Sequence, residues 1–266
     1  MTLKSLKLLC LLLTLIIVSN NDVIANEDNL SLFKSANELY QKSNYKEALV
    51  KYEELLEKGY VSDDLFSNIG NAYLKENRTG LSILNFEKAL LLNSNNAQSY
   101  QNLKLAKESV INPVIQIPDF FVISFWRNFV GSQNISFWLV MHVLFLFVAM
   151  SFALFHWTNL IPRIKSKLNN SRITISFILA SVSLSVIFFI ASLQRQSQLT
   201  GVNYGIIMSE ESTLLDGPDS RSNEIASLSE GLKVKILDEI DEWYQIQLED
   251  KDDGWIEKEI IELIKI

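Results

Sequence analysis

Cysteine and histidine are almost missing from this sequence: its 266 residues include one cysteine and two histidines. One cysteine excludes an intrachain disulfide framework and a cysteine-based metal cage. Both histidines, His142 and His156, fall within an apolar block, so Ser–His and Cys–His catalysis have no base in the polar regions. The P-loop, G-x-S-x-G and H-E-x-x-H motifs are absent as well. We therefore expect no enzyme activity, no metal site and no cofactor.

Basic residues are also in deficit, with 24 Lys+Arg against 31 Asp+Glu and a net charge of −7. This balance argues against nucleic acid as a partner, because phosphate binding requires a positive surface. Only 21% of the residues are charged while 48% are hydrophobic, which indicates that apolar residues are concentrated in blocks.

The first block lies at the N-terminus. Lys4 and Lys7 precede the apolar run 8–18, and Val23-Ile24-Ala25 follows after a polar stretch. A basic start, an apolar core and small residues at a cleavage position predict a signal peptide over 1–25. Cleavage after Ala25 is favoured over an uncleaved anchor, because the run is too short to span a bilayer.

Two further blocks, 135–157 and 173–193, carry no formal charge and are long enough to be transmembrane helices. The loop between them, 158–172, holds four basic residues and no acidic one. Short basic loops stay in the cytoplasm. With the signal peptide, this predicts a two-pass protein of the bacterial cytoplasmic (inner) membrane, with both polar regions extracytoplasmic or periplasmic.

Three features of the membrane region have two interpretations each. The aromatic segment 117–129, within the connection 111–134, is either an interfacial helix or a packed linker. His142 is either a proton or metal group or, as we favour, a neutral residue among aromatic neighbours. The small-residue pairs Ser176/Ala180 and Ser181/Ser185 serve either packing between the two spans or docking to another membrane protein.

The region after the signal contains an internal repeat, because 29–62 and 63–96 align without gaps at a period of 34 residues. The aligned pairs are Ala36/Gly70, Leu39/Tyr73, Ala48/Ser82, Tyr52/Phe86 and Leu55/Ala89. Turn-forming residues separate the two halves of each unit, around Asn44 and Asn77. The pattern resembles tetratricopeptide repeats. This resemblance implies an all-α helical repeat domain over 26–110, with a capping helix at 97–110.

A tetratricopeptide array would present a concave groove for a peptide, lined by the first helix of each repeat. The residues that the resemblance assigns to this groove are Phe33, Asn37, Tyr40, Ser67, Asn71, Leu74 and Lys75. Asn37 and Asn71 would either bond the backbone of an extended ligand or satisfy local polar groups. Phe33 and Gln98 stand where a clamp for a terminal carboxylate would have cations, so that narrower function is disfavoured.

The C-terminal region is acidic, with 17 acidic and six basic residues from Gln196 onward. Alternating apolar residues predict strands at 232–237, 243–248 and 255–256, and the segments 216–218 and 252–254 read as turns. We expect five or six short strands in a small all-β barrel.

This region, 200–266, resembles a bacterial SH3-like domain. The matching features are Gly217-Pro218, Glu230-Gly231, Trp243-Tyr244 and Gly254-Trp255-Ile256. Such domains bind cell-wall peptides or proteins, and the negative charge favours a basic protein surface. Trp243, Tyr244 and Trp255 would form either a ligand patch or, as we favour, part of the core.

The complete order of segments resembles the BatE-type proteins of bacterial aerotolerance (Bat) operons. The resemblance implies a scaffold beside von Willebrand A-domain membrane proteins and a MoxR-type ATPase. Our hypothesis is a membrane-anchored adaptor that binds other proteins, with an envelope sensor that binds cell-wall peptide as the alternative.

Overall fold

The structure is a computed structural model that describes residues 27–110, 120–157, 171–201, 204–248 and 252–266. The predicted signal peptide, and all but the last two residues of the basic loop, lie outside the described residues. Within the described part, the chain forms two compact units. One comprises 133–197, and the other combines 27–132 with 198–266.

Five helices form the first part of the larger unit. They are α1 (Glu27–Gln41), α2 (Tyr45–Glu57), α3 (Asp63–Lys75), α4 (Thr79–Leu92) and α5 (Ala97–Lys107). Helices α2 and α4 begin 34 residues apart, and so do α3 and α5. We refer to α1–α5 as the helical array. Its backbone therefore has the 34-residue period of the sequence.

The turns between helices repeat at the same interval. Ser43 and Asn77, each two residues after the end of α1 or α3, both adopt positive φ, 62° and 57°. In each turn the next N–H bonds back across the helix end: Asn44 donates to the Leu39 carbonyl and Arg78 to the Tyr73 carbonyl. A left-handed residue with this bond satisfies carbonyl groups that the helix end leaves open. The predicted turn residues thus end α1 and α3 in the same way.

The small residues of the repeat lie where helices approach closely. Ala36, Ala48 and Ser82 are fully buried. A Cβ added at Gly70 would lie 2.7 Å from the Phe86 ring, which leaves no room for a larger residue. Ser82 Oγ donates to the Gly70 carbonyl at 2.9 Å and joins α4 to α3 at this point.

The smaller unit contains two long apolar helices, α7 (Ile135–Trp157) and α8 (Ser171–Thr200). Both have the length and apolar character required to cross a membrane, with mean hydropathy of 2.3 and 2.5 over their most apolar stretches. Few of the residues in those stretches are buried, unlike those in the core helix of a soluble protein. These helices suggest a membrane protein. Helix α8 extends beyond the predicted end at Leu193, because no glycine or proline interrupts the chain before Gly201.

Helices α7 and α8 contact each other through polar and aromatic groups. The Ser185 hydroxyl lies 2.8 Å from His142 Nδ1 and donates to the His142 carbonyl at 3.2 Å. Trp138 is fully buried and stacks on Phe188, with ring centroids 5.9 Å apart. Ser181 and Ser185 are both buried, which favours packing between the two spans for this pair, whereas Ser176 and Ala180 are exposed.

The C-terminal region forms one antiparallel sheet of seven strands in the order β3-β2-β6-β5-β4-β1-β7. The strands are β1 (Tyr204–Ile207), β2 (Glu211–Leu215), β3 (Glu224–Ser229), β4 (Lys233–Ile240), β5 (Trp243–Gln247), β6 (Asp253–Glu257) and β7 (Ile261–Leu263). Their inward-facing residues meet in one core. We call this sheet the barrel. The sequence located only β4, β5 and β6; it did not locate β2 and β3, or the short strands β1 and β7, which have four and three residues.

The predicted turn at 252–254 is wrong, because Asp253 and Gly254 belong to β6. Gly254 is buried, and an added Cβ would lie 2.6 Å from the Leu215 carbonyl oxygen. The glycine permits close approach between β6 and β2 and does not form a turn.

The helical array and the barrel share a core. The buried cluster that holds barrel residues Ile206 and Val234 also contains Ile83, Leu84 and Leu103 from α4 and α5. Helix α4 buries eight of its 14 residues, as expected for a helix with neighbours on most of its sides. A separate short helix, α6 (Phe121–Gly131), follows the array.

Candidate functional site

Two pairs of asparagines link the first helices of successive repeats. Asn68 Nδ2 donates to Asn37 Oδ1 at 3.0 Å, between α3 and α1. Asn102 Nδ2 donates to Asn71 Oδ1 at 2.6 Å, between α5 and α3. The members of each pair are 31 residues apart, and the second pair follows the first by one 34-residue repeat. The site is thus a repeated feature of the array.

A tyrosine fixes the first pair. The Tyr52 hydroxyl donates to Asn37 Oδ1 at 2.7 Å, so this oxygen accepts two hydrogen bonds. Burial raises the pKa of the Tyr52 hydroxyl, and the nearby Tyr40 adds to the increase. The hydroxyl therefore stays protonated and remains a donor.

Half of each asparagine pair remains available to a ligand. Within the described part of the chain, the amide nitrogens of Asn37 and Asn71 and the amide oxygens of Asn68 and Asn102 have no hydrogen-bond partner. Each pair therefore offers one donor group and one acceptor, which match the C=O and N–H of a peptide backbone. The asparagines satisfy local polar groups with one atom and leave the other open.

Three of the predicted groove residues are engaged within the array. Ser67 is only 3% exposed, so its assignment to an open groove is wrong. It lies on the side of α3 that packs into the helical core, next to Phe66. The Phe33 ring lies 6.2 Å from that of Tyr52, and Tyr40 packs edge-on against Tyr45.

The other predicted groove residues differ in exposure. Leu74 is half-buried and packs against the core that the array shares with the barrel. Lys75 is exposed at the end of α3. Sequence reasoning missed Asn68 and Asn102, although their spacing of 34 residues in the printed sequence was a signal for them.

A buried carboxylate joins the array to the barrel. Glu87 on α4 accepts from Lys233 Nζ of β4 at 2.6 Å, and Lys107 Nζ of α5 lies 3.4 Å away. Burial alone would raise the pKa of Glu87, but the two ammonium groups outweigh it and hold its pKa below the ordinary value of 4.5. Glu87 is therefore ionised at neutral pH and forms a Lys–Glu–Lys cluster at the contact.

A side chain of the barrel also caps the N-terminus of α4. Glu230 Oε1 accepts from the Gly80 N–H at 2.7 Å, whereas Arg78, the N-cap residue, makes no side-chain cap bond. A carboxylate is favourable at a helix N-terminus, where N–H groups are unpaired. Next to it, Gly231 has φ +88°, and an added Cβ would lie 2.9 Å from Ile83 Cδ1. Glu230 and Gly231, the two residues of the predicted hairpin, thus both contact the helical array.

The three predicted aromatic residues of the barrel divide between its two faces. Tyr244 lies opposite Ile256 on the inner face and packs against the core. Gln245 lies opposite Trp255, so Trp255 shares the outer face with Gln245 and Trp243. Both tryptophans are half-buried. The core interpretation therefore fits Tyr244 alone, and the tryptophans define an outer aromatic face.

Apolar and acidic residues surround the two tryptophans. Leu215 of β2 lies opposite Trp255, and Ile240 of β4 lies opposite Trp243. Glu257 of β6 lies opposite Trp243, and Asp238 of β4 lies opposite Gln245. An aromatic face with carboxylates beside it suits a ligand that carries an amine, because the ring faces and the carboxylates both attract cations.

No curated protein matches the chain. A family model covers part of the barrel, from the second half of β2 to β7, which confirms the SH3-like prediction for that segment. Residues 214–262 match the model of the bacterial SH3 domain.

Proposed function

We propose that this protein is a membrane-anchored scaffold that binds an extended segment of another protein along its helical array. The repeated asparagine pairs carry the proposal, because they offer backbone-type donors and acceptors at the interval of one repeat. The 34-residue helix pairs support the assignment of the array to the tetratricopeptide type. A binding role needs no catalytic step, and we assign none.

The array and the barrel would present their surfaces together. The Glu87–Lys233 pair, the Gly80–Glu230 bond and the shared core support a single docked body. A protein held in the groove would then lie at a fixed position relative to the outer aromatic face. This suits an adaptor that holds one partner while it contacts a second.

We place this docked body outside the cytoplasm, on two membrane helices. The signal-like N-terminus and the basic loop support this side of the membrane. An alkaline phosphatase fused after Ile266 tests the placement, because it is active only outside the cytoplasm. We expect an active fusion, and an inactive one would refute the topology.

The order of segments, similar to BatE-type proteins, suggests that the partner is a von Willebrand A-domain membrane protein of an aerotolerance or envelope-stress complex. Photocrosslinking tests the groove. A photoreactive amino acid replaces Lys75 beside the second asparagine pair or, as a control, the exposed Glu57 on α2. We expect a protein adduct from position 75 and none from position 57.

A substitution in the second asparagine pair tests whether the crosslink depends on that pair. In the presence of Asn71→Leu, the adduct from position 75 should fall at least fivefold. The exposed Asn95→Ala in the same unit should leave it unchanged. An adduct that is insensitive to Asn71→Leu would refute the role of the pairs in binding, and no adduct at all would refute the groove.

The outer aromatic face favours a second candidate function, binding of cell-wall peptide in an envelope sensor. The observation is the placement of Trp243 and Trp255 on the outer face of a bacterial SH3-like domain, with carboxylates suited to a peptide amine. Titration of the full chain in detergent with purified muropeptides tests it. We expect Trp255→Ala to abolish saturable binding and Tyr100→Ala, an exposed aromatic on the array, to leave it intact. No saturable binding to the wild-type chain would exclude this candidate.

A further inference from the structure

Helix α6 is amphipathic and lies immediately before α7. At about 100° per residue, its apolar side chains occupy about 200° of the helix circumference. The apolar residues are Phe121, Val122, Ile123, Phe125, Trp126, Phe129 and Val130. Ser124, Arg127 and Asn128 share the opposite side with Gly131.

Among the described residues, most of the apolar arc is exposed, and only Val130 at its C-terminal end is fully buried. Phe121 and Phe125 are 72% and 69% exposed, and Ile123 is 58% exposed. The helix is held at its C-terminal end, where Ser94 Oγ donates to the Asn128 carbonyl at 2.9 Å. An eleven-residue helix is marginal in water by itself, and large exposed apolar patches mark interaction surfaces. A packed linker does not explain this face.

The short connection between α6 and α7 limits how far the apolar face of α6 can lie from the start of α7. Gly131 and Ile135, the last residue of α6 and the first of α7, are separated by four residue steps, which reach at most about 14 Å. The end of α6 is therefore close to the point where α7 enters the bilayer. From residue 120 to 157 there is no acidic residue, and Arg127 is on the polar side of α6. Neither feature repels anionic lipid head groups.

We propose that α6 is an interfacial helix that lies along the membrane surface with Phe121 and Phe125 among the upper acyl chains. Amphipathic helices of this kind bury only their apolar side, so the polar side with Ser124 and Asn128 then faces the head groups. The Ser94–Asn128 bond ties the turn between α4 and α5 to this helix. The inference depends on the part of the proposed function in which α7 spans the membrane.

Depth-dependent fluorescence quenching of the full chain tests the inference. Single cysteines replace Phe125 on the apolar arc, Asn128 on the polar side or Leu146 in the middle of α7, in a Cys10→Ser background. Each is labelled with the fluorophore NBD and reconstituted in vesicles of phosphatidylethanolamine and phosphatidylglycerol. Nitroxide lipids labelled at acyl carbon 5 or carbon 12 quench from within the bilayer, and iodide quenches from water.

We expect the carbon-5 nitroxide to quench the probe at position 125 at least threefold more than the probe at 128. Iodide should show the reverse order. Equal iodide quenching at 125 and 128 without lipid quenching would overturn the inference by placing α6 in water. Shielding of position 125 from both quenchers would overturn it by showing a protein cover.

Position 146 separates this inference from the proposed function. Strong quenching there by the carbon-12 nitroxide, with none at position 125, would refute the interfacial helix and leave the membrane anchor intact. No lipid quenching at position 146 would refute the anchor itself, and the inference with it.

Discussion

The contact between the helical array and the barrel depends on the charge of Glu87, and Glu87→Gln tests it. The carboxylate side chain is 10% exposed, while those of Lys233 and Lys107 are 24% and 29% exposed. The substitution removes the charge and leaves two ammonium groups facing a neutral amide. Breaking a buried ion pair costs about 3–5 kcal/mol, and we expect about 2–3 kcal/mol because both lysines reach water.

The chain provides a matched control. Glu54 accepts a hydrogen bond from Lys58 at 2.6 Å, the same distance as in the Glu87–Lys233 pair. The side chains of Glu54 and Lys58, however, are both almost half exposed. Exposed pairs are screened and contribute little. We therefore expect Glu54→Gln to leave the stability unchanged within error.

The assay is thermal unfolding of the full chain in detergent, combined with hydrogen exchange. A loss of about 2 kcal/mol should lower the unfolding midpoint by about 4–8 °C for a unit of this size. Exchange should accelerate at the first amides of α4 and in β4, where the two parts meet. Equal midpoints for Glu87→Gln and Glu54→Gln would refute the view that the cluster stabilises the docked body.

Three further predictions concern the same unit. Because the pKa of Glu87 is below its ordinary 4.5, its stabilisation is fully present above that pH and is lost as the pH falls through the lowered pKa. The difference in urea stability between wild type and Glu87→Gln should therefore shrink in titrations below pH 4.5. Gly231→Ala should lower the free energy of unfolding by about 1–3 kcal/mol more than Gly59→Ala, because both glycines have positive φ but only a Cβ at position 231 would contact other residues. Equal losses would argue against close docking. Gly70→Ala should lower the free energy of unfolding by about 1–3 kcal/mol, because the added Cβ would meet the Phe86 ring. Adding Phe86→Leu to this variant should restore part of the loss, and urea unfolding of the single and double variants measures both.

Local rules account for the parts of the fold that the sequence predicted. The positions of Ala36, Gly70 and Ser82 follow from close helix approach within one repeat. The turns after α1 and α3 follow from turn-forming residues, and asparagine at position 77 tolerates the left-handed conformation. The apolar helices follow from length and composition alone. Each of these features depends on residues close in the chain.

The docking of the barrel on α4 depends on distant residues and was not predicted. Glu87 and Lys233 are 146 residues apart, and no local pattern relates them. One signal was present: Ile83, Leu84 and Leu91 make α4 apolar on more sides than packing within the repeats requires.

Errors in the predicted groove have a different cause. A helix turns about 100° per residue, so repeat position alone assigns a side chain to a face with limited accuracy. Ser67 falls on the buried side of α3 and Asn68, its neighbour, on the side that bonds to Asn37 of α1. The partner of each asparagine also depends on how successive repeats stack, which the period does not specify.

Because of the order of segments in the chain, the docking contact also tests the membrane topology. Helices α7 and α8 lie between the array and the barrel in the chain, so the contact requires both helices to cross the membrane or neither. A disulfide distinguishes the two cases, because disulfides form outside the cytoplasm and stay reduced within it.

A cysteine pair at positions 80 and 230 would report both the contact and its compartment. A Cβ at position 80 would lie 3.0 Å from Glu230 Cγ, so the two Cβ atoms are at most about 4.5 Å apart, within disulfide range. In a Cys10→Ser background, Gly80→Cys with Glu230→Cys should oxidise in growing cells without added oxidant. Gly59→Cys with Glu230→Cys serves as the control for random pairing and should stay reduced. Oxidation only after copper phenanthroline is added to isolated membranes would place the docked body in the cytoplasm, and free thiols even then would disprove the docking, because nothing but this contact brings the two positions within reach of each other.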